Sequence, residues 1–374
     1  MADKKYPYHS DFDSIAGMRL DYSSNFQLKA TNAFMRVQTF FDRTEKAVEV
    51  KKVQLKGYQD TPFEVEVLYP KNHQGKLPCL FFTHGGGFML DIGVAHYKQC
   101  VHYVTELNCI AVMPHYHLAV DHPFPHGLQD CHAALNWVFD NADDLDIDPS
   151  RVAVGGESAG GGLSASLTQM WRDEQRSPAI CFQLLTYPVL DQSQQTESAQ
   201  AFTDTPFWDA VNVKHMWDKY LANVEGVPKY ASPMQIDSFA NLPAAYIEPA
   251  EFCPGRDEGI LYAEKLQSAG VQVELNVTKG TFHCFDIVPD SDITKEAFRR
   301  RTAALKAAFG LTDEAIELAE GKKYPFSKDF DDLAKFSLDV SSDTRLKMMN
   351  FLVGTQYRFT KPEEHLEKKT YTTS

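Results

Sequence analysis

The chain has 374 residues, of which 43% are hydrophobic and 24% charged, and its net charge is −14. This composition is typical of a globular protein with one large or two modest domains. The acidic balance argues against nucleic acid and anionic membrane surfaces as partners, because both attract basic faces. The polar start carries no leader pattern, and no apolar run is long enough to span a bilayer. Seven scattered cysteines without a CxxC pair favour reduced thiols, so we expect a cytoplasmic protein.

The first segment of the chain recurs near its end. Residues 4–41 align without gaps with residues 322–359 at an offset of 318, and 17 of the 38 positions are identical. In each copy a Ser-Ser pair stands where a helix N-cap would, and apolar residues follow at helical spacing. We expect two amphipathic arms, residues 1–45 and 311–374. The arms would pack against a cap in the same chain or in a second copy of a homo-oligomer; a fusion remnant that frays is the alternative.

The middle of the chain alternates strand and helix patterns. Residues 47–70 predict an antiparallel hairpin around GYQDTP. Further strands are predicted at 77–82, 109–114, 151–156, 180–188, 244–249 and 271–277, and helices at 126–142, 159–174, 257–270 and 294–310. This alternation predicts an α/β fold, with a mostly parallel central sheet flanked by helices, over residues 46–310. Residues 192–240 interrupt the rhythm and are expected to be an insertion carried on that core.

The strongest chemical signal is GGESAGGG at residues 155–162, which stands between a strand and a helix pattern. Its centre, G-E-S-A-G, matches G-x-S-x-G in the strand–turn–helix context that this motif requires. Ser158 would sit on a tight, strained turn that lifts Oγ out of the sheet. The start of the following helix would offer N–H groups to a developing oxyanion. The motif therefore predicts that Ser158 is a nucleophile.

Two further motifs complete this interpretation. HGGG at residues 84–87 follows a strand and is the loop type that supplies hydrogen-bond donors to an oxyanion. We therefore expect the backbone N–H groups of Gly86 and Gly87 to donate to the oxyanion alongside that of Ala159. A phosphate-cradling loop is the alternative, but no Lys-Ser/Thr pair follows the glycines. His283, in KGTFHCF, follows the last predicted strand and comes after the serine and an acidic stretch, which is the chain order of this kind of site.

Five motifs in order carry a resemblance to a known family: HGGGF, YHLAVDHPFP, DPSRVAVGGESAGG, AEFCPGRDEG and GTFHCF. Together they resemble the hormone-sensitive-lipase-like carboxylesterases of the α/β-hydrolase fold. The resemblance implies Ser158 as nucleophile and His283 as general base, and we expect no cofactor. It also implies a helical cap formed by residues 1–45 and 192–240. An aromatic cluster in the insertion would then line the acyl site or simply form the core of the cap: Phe207, Trp208, Met216 and Trp217.

The sequence departs from the family pattern at three positions. Glu157 stands where Asp is more common, and His117 stands where YRLAPEHPFP-type segments carry Arg. Most seriously, Cys253 occupies the position of the triad acid. That acid orients the histidine and stabilises the imidazolium, and a neutral thiol does neither well. A thiolate could act there only if the site lowered the pKa of Cys253.

Two nearby carboxylates are candidate replacements for the acid. Asp257 lies one helical turn after Cys253, and Glu251 lies two residues before it on a strand. Alternatively, Asp257 stabilises the first turn of a helix and Glu251 makes a supporting hydrogen bond. A metal or redox site at Cys253, His283 and Cys284 would tie up the base and lacks a clear fourth ligand, so we expect no metal.

Two functions remain open from the sequence. The first is a serine carboxylesterase with an atypical triad acid, which hydrolyses short-chain, small-molecule esters through an acyl-enzyme. The second is a catalytically weak hydrolase-fold protein that serves as a ligand-binding or regulatory module. The intact Ser158, HGGG loop and His283 favour the enzyme.

Overall fold

A computed structural model of the chain describes residues 5–19, 21–42 and 47–312. An eight-stranded sheet, in the order β1-β2-β4-β3-β5-β6-β7-β9, forms its centre. The strands of the first half are β1 (Val48–Lys56), β2 (Pro62–Pro70), β3 (Leu77–Thr83), β4 (Ile110–Pro114) and β5 (Ile147–Glu157). Those of the second half are β6 (Phe182–Thr186), β7 (Ala244–Glu248), β8 (Ala250–Phe252), β9 (Val273–Leu275) and β10 (Thr278–Phe282).

The sheet is parallel except at one edge. β1 pairs with β2 and β2 with β4 in antiparallel fashion, and the remaining pairs from β4 to β9 run parallel. β8 and β10 form a separate parallel pair beyond the carboxyl end of β7. The predicted hairpin at 47–70 and the predicted parallel sheet are both confirmed.

Helices cover both faces of the sheet. Those of the core are α3 (Val94–Leu107), α4 (His126–Asp140), α5 (Ala159–Asp173), α8 (Arg256–Ser268) and α9 (Asp292–Ala308). The sequence patterns predicted four of these and missed α3. Strands β3, β4 and the inner part of β5 are buried on both faces, which explains their nearly continuous apolar sequences.

The amino-terminal arm and the insertion lie over the carboxyl ends of the strands. The arm contributes α1 (Asp13–Ala16) and α2 (Asn25–Asp42), and the insertion contributes α6 (Glu197–Ala201) and α7 (Ala210–Tyr220). The Arg19 guanidinium donates to Asp209 at 3.1 Å, and the Asn32 amide donates to the Met89 carbonyl at 2.8 Å. The arm therefore joins the insertion to the loop that follows β3. The predicted second arm at 322–359 lies outside the described residues.

None of the helices in the described ranges combines the length and apolar character needed to cross a bilayer.

Candidate active site

Ser158 occupies the turn between β5 and α5. Its φ of 53° and ψ of −121° are strained values for a residue with a side chain, and its hydroxyl is carried to the carboxyl edge of the sheet. Close packing of the turn against β3 requires the glycines around it. A Cβ on Gly160 would lie 2.0 Å from the carbonyl oxygen of Thr83, and one on Gly156 would lie 2.4 Å from the same oxygen. The GESAG sequence thus forms the tight turn that the motif predicted.

His283 faces Ser158 from the loop after β10. Nε2 of His283 lies 2.8 Å from the Oγ of Ser158, and both residues are buried. Two aromatic rings hold the imidazole. The Trp208 ring stacks on it with centroids 5.6 Å apart, and the Tyr187 ring meets it edge-on at 4.8 Å. Burial lowers the pKa of His283 to about 3, although the nearby Glu157 carboxylate acts in the opposite direction. The imidazole is therefore neutral near pH 7, as a general base must be.

Cys253 occupies the other side of the imidazole. Its Sγ lies 3.1 Å from Nδ1 of His283, and only 1% of the residue is exposed. Burial raises the pKa of the Cys253 thiol to about 12, although the backbone N–H of Gly255 opposes this shift. Ser158, His283 and Cys253 thus form a connected series of three side chains whose third member is a neutral thiol.

The two carboxylates considered as replacements for the triad acid are hydrogen-bonded to residues other than His283. Glu251 accepts hydrogen bonds from the Gly280 backbone N–H at 2.7 Å and from Lys279 at 3.1 Å. Asp257 accepts from the Ser198 backbone N–H at 2.8 Å and from Arg256 at 2.7 Å, in the first turn of α8. Among the described residues, neither carboxylate is hydrogen-bonded to His283. Glu251 therefore makes a supporting hydrogen bond and Asp257 stabilises the first turn of a helix, which are the alternatives to a triad role that the sequence left open.

Two of the three glycines of the HGGG loop adopt left-handed backbone conformations beside Ser158. Gly86 has a φ of 100° and Gly87 a φ of 61°, and both line the same cavity as Ser158. A Cβ on Gly86 would lie 2.7 Å from the Cβ of Leu90, so a side chain is excluded there. Ala159 begins α5, where the first backbone N–H groups have no partner within the helix. The three N–H groups expected to form an oxyanion hole are thus borne by residues on two sides of Ser158.

A cavity of about 450 Å³ opens in front of Ser158. Phe207 and Trp208 line it, together with residues of the amino-terminal arm such as Tyr22 and Phe34. Met216 and Trp217 do not line it; both are buried in the core formed between the insertion and the rest of the protein. The family resemblance grouped these four residues at the acyl site, with the core of the cap as the alternative. Met216 and Trp217 take the alternative because they lie on the buried face of α7, whereas Phe207 and Trp208 precede that helix.

A buried polar network, which no sequence motif predicted, lies beside the cavity. Glu157 lies 2.8 Å from Nε2 of His96, and the Tyr187 hydroxyl donates to Asp286 at 2.7 Å. Arg301, which is fully buried, also donates to Asp286 at 2.7 Å. Burial opposes ionisation of Glu157, but His96, Arg301 and the Tyr187 hydroxyl together outweigh this effect and lower the pKa of Glu157. The one available signal was the position of Tyr187, directly after the end of β6, where α/β enzymes place functional side chains.

Comparisons with known proteins agree with this geometry. A family model described as alpha/beta hydrolase fold matches residues 80–287. Carboxylesterase NlhH of Mycobacterium tuberculosis is 36% identical over 273 residues, covering 71% of this chain and 83% of the relative. Esterase LipI of the same species is 32% identical over 253 residues, covering 66% of this chain and 78% of the relative.

Solved structures of esterases are similar over most of the chain. A bacterial heroin esterase has a TM-score of 0.75 and 31% identity, covering 81% of this chain and 98% of that chain. A thermostable esterase from Pseudomonas putida ECU1011 has a TM-score of 0.74 and 27% identity, covering 83% of this chain and 100% of that chain.

Proposed function

Because this chain belongs to the alpha/beta hydrolase fold family, we propose that it is a serine carboxylesterase that hydrolyses small esters with short acyl chains. The family resemblance expected from the five motifs is confirmed by the matches to carboxylesterases and esterases. The observation that carries the proposal is the 2.8 Å contact between Ser158 Oγ and His283 Nε2, beside the glycine loop and within the cavity.

The first chemical step is transfer of the Ser158 proton to Nε2 of His283 as Oγ attacks the ester carbonyl. The resulting oxyanion is bound by the backbone N–H groups of Gly86, Gly87 and Ala159. The imidazolium then returns the proton to the departing alcohol, which leaves an acyl group on Ser158. Water activated by the same imidazole hydrolyses this acyl-enzyme and restores the serine.

Cys253 changes the energetics of the proton transfer. A carboxylate can only accept a hydrogen bond, so it requires the proton of the neutral imidazole to be on Nδ1 and leaves Nε2 as the base. A neutral thiol can instead donate to Nδ1, and the ring then carries its proton on Nε2, which points at Ser158 and cannot act as a base. The thiol also gives little stabilisation to the imidazolium. The stacked Trp208 and the edge-on Tyr187 supply orientation by packing, and Glu157 supplies negative charge from further away.

The cavity supports a preference for small substrates. Its volume of about 450 Å³ is within the range of small-molecule sites, and α2 and Tyr22 form part of its wall. Trp208, stacked on His283, narrows the space next to the nucleophile.

A fluorophosphonate probe tests the nucleophile. We expect a single adduct on Ser158 by mass spectrometry, a burst of p-nitrophenol from p-nitrophenyl acetate, and loss of both in Ser158→Ala. Turnover should fall as the acyl chain is lengthened from acetate to octanoate and beyond. An adduct elsewhere, or hydrolysis that survives in Ser158→Ala, would contradict the assignment.

The neutral thiol is one observation that favours the second function, a ligand-binding or regulatory module. In that case Ser158 would still react with the phosphonate, but ester turnover would not exceed that of Ser158→Ala. Isothermal titration with small non-hydrolysable ligands, such as ketone analogues of esters, would then show binding in the cavity.

A further inference from the structure

Tyr22, in the amino-terminal arm just before α2, carries a buried hydroxyl that has no partner in the protein. Only 3% of the residue is exposed, and it lines the same cavity as Ser158. Its backbone N–H donates to Oδ1 of Asn212 at 3.3 Å, but its hydroxyl makes no hydrogen bond to any other described residue. A buried tyrosine hydroxyl usually has a partner, because leaving its hydrogen bond unmade costs free energy. A partner for this hydroxyl can come only from the cavity.

The hydroxyl end of the Tyr22 ring lies against the loop that is expected to bind the oxyanion. A Cβ on Gly87 would lie 2.7 Å from Cε1 of Tyr22 and 3.4 Å from Cζ, the ring carbon that bears the hydroxyl. The Tyr22 ring also meets the Trp208 ring edge-on, with centroids 4.7 Å apart, and Trp208 stacks on His283. A substrate whose carbonyl lies at Ser158 therefore presents the groups next to its ester bond to the Tyr22 hydroxyl.

The other polar side chains on the cavity wall differ from Tyr22 in pairing or in exposure. Arg19, for example, donates to Asp209 at 3.1 Å. Apart from Ser158, the one further side-chain hydroxyl among the described lining residues is that of Thr31. Thr31 is half-buried on α2, so bulk water can reach it. The Tyr22 hydroxyl is both buried and unpaired, which makes it the hydroxyl that a bound substrate would satisfy.

We propose that the Tyr22 hydroxyl donates a hydrogen bond to an oxygen that the substrate carries beside its ester group. The preferred substrates are then short esters with an ether, hydroxyl or carbonyl oxygen within a few bonds of the ester carbonyl. This inference rests on the proposed esterase function and specifies its substrate class. Burial raises the pKa of Tyr22, so the hydroxyl keeps its proton near pH 7 and can donate it. A few polar groups in a mainly apolar wall are what give small-molecule cavities their specificity.

Pairs of esters that differ by one oxygen atom test this role. p-Nitrophenyl methoxyacetate matches p-nitrophenyl butyrate in length, and 2-methoxyethyl acetate matches butyl acetate, so the two pairs place the oxygen on the acyl and on the alcohol side. The hydrogen bond is made in the bound substrate and in the transition state alike, so its loss raises KM and not kcat. In Tyr22→Phe, which keeps the ring, we expect KM to rise about three- to tenfold more for the ether of one pair than for its hydrocarbon partner. Taking the ratio within each pair, variant against unmodified protein, cancels the intrinsic reactivity of the esters.

Two matched variants remove a hydroxyl at other places. Thr31→Val alters the cavity wall, and Tyr220→Phe alters a buried tyrosine of α7 that is not among the described residues lining the cavity. Both should leave the ratio of KM values within each pair nearly unchanged. The proposal is wrong if Tyr22→Phe changes neither ratio, or if one of the two controls changes a ratio as much as Tyr22→Phe does. It is also wrong if Tyr22→Phe lowers kcat equally for both esters of a pair, because the hydroxyl would then act on the oxyanion.

Binding measurements separate the role of Tyr22 from the esterase activity itself. Isothermal titration with the matching ketones, in which a methylene group replaces the ester oxygen, needs no turnover. Relative to the hydrocarbon ketone, the ether-containing ketone of the responding pair should bind about three- to tenfold more weakly to Tyr22→Phe than to the unmodified protein. A protein that shows this difference without ester turnover would contradict the esterase function alone. Ester turnover without the difference would contradict the role of Tyr22 alone.

Discussion

Cys253 Sγ lies 3.1 Å from Nδ1 of His283, at the place where a hydrolase of this family would hold a carboxylate against the same nitrogen. The contact preserves the geometry of a triad without its charge. Burial raises the pKa of Cys253 to about 12, so the partner of the histidine near pH 7 is a thiol. This contact determines the expected effects of substitution at Cys253 and the expected pH dependence of the enzyme.

Replacing the thiol by a carboxylate should increase activity. In Cys253→Asp the side chain can only accept from Nδ1, which fixes the reactive tautomer and stabilises the imidazolium. We expect kcat for p-nitrophenyl acetate to rise by about 10- to 10⁴-fold, the upper value being the cost of losing a triad acid. Burial raises the pKa of the neighbouring Glu258 to about 8, so the new carboxylate would not face a second buried charge at pH 7.

Cys253→Ser is the matched control for that substitution. A hydroxyl can also donate or accept, so its turnover should remain within about tenfold of the unmodified protein. A Cys253→Asp protein that folds normally but shows no gain would mean that the thiol does not limit the reaction.

The pH dependence of kcat/KM should reveal the unusual base. His283 works as a base only when it is unprotonated, and its pKa is lowered to about 3 in the folded protein. Activity should therefore stay constant as the pH falls from 8 to 5, with no decline near the ordinary histidine pKa of about 6.5. In Cys253→Asp the carboxylate favours the imidazolium, raises the pKa of His283 and brings the acid-side decline back toward pH 6. An acid-side decline above pH 6 in the unmodified protein would show that a carboxylate acts on His283.

Neutralising the two nearby carboxylates should leave the chemistry almost unchanged. Glu251→Gln and Asp257→Asn should each keep kcat within about threefold, because the carboxylates bind Gly280 and Ser198 instead of the histidine. Asp257→Asn should lose about 1 kcal/mol of stability, since the charge lies in the first turn of α8 beside Arg256. A fall of about 100-fold or more in kcat for either variant would identify it as the acting acid.

Glu258 should make the protein less stable as the pH rises. Its carboxyl is buried on α8 and accepts from the backbone N–H groups of Leu190 and Asp191, each at 3.0 Å. Its folded pKa of about 8 lies above the unfolded value of 4.5, so the stability it contributes is complete below pH 4.5 and is lost as the pH rises to 8.

Glu258→Gln imitates the protonated acid and removes this dependence. The variant should match the unmodified protein in urea unfolding at pH 5 and exceed its free energy of unfolding by up to about 4 kcal/mol at pH 8. The same change at the exposed Glu264 of α8 should have little effect at either pH. Equal stability of Glu258→Gln and the unmodified protein at pH 8 would contradict the raised pKa.

Local sequence patterns predicted the backbone of the site well. The G-x-S-x-G turn, the HGGG loop and His283 after the last strand each depend on a few consecutive residues with special backbone requirements, and the sheet brings strand ends together in a known order. The sequence also identified Cys253 as the residue at the acid position. Periodicity correctly predicted the hairpin and the parallel sheet, whereas α3 was missed.

Tertiary structure decided which side chains meet. Glu251 and Asp257 are as close to Cys253 in sequence as a replacement acid would be, yet their partners, Gly280 and Ser198, lie on other segments. The family resemblance could not separate Trp208, which precedes α7 and lines the cavity, from Trp217, which lies on α7 and packs in the core. The residues of a short segment determine its backbone conformation, and therefore where a nucleophilic side chain can lie. Hydrogen bonds and charge interactions depend on distances between segments that are far apart in the chain, and only the packed fold establishes those distances.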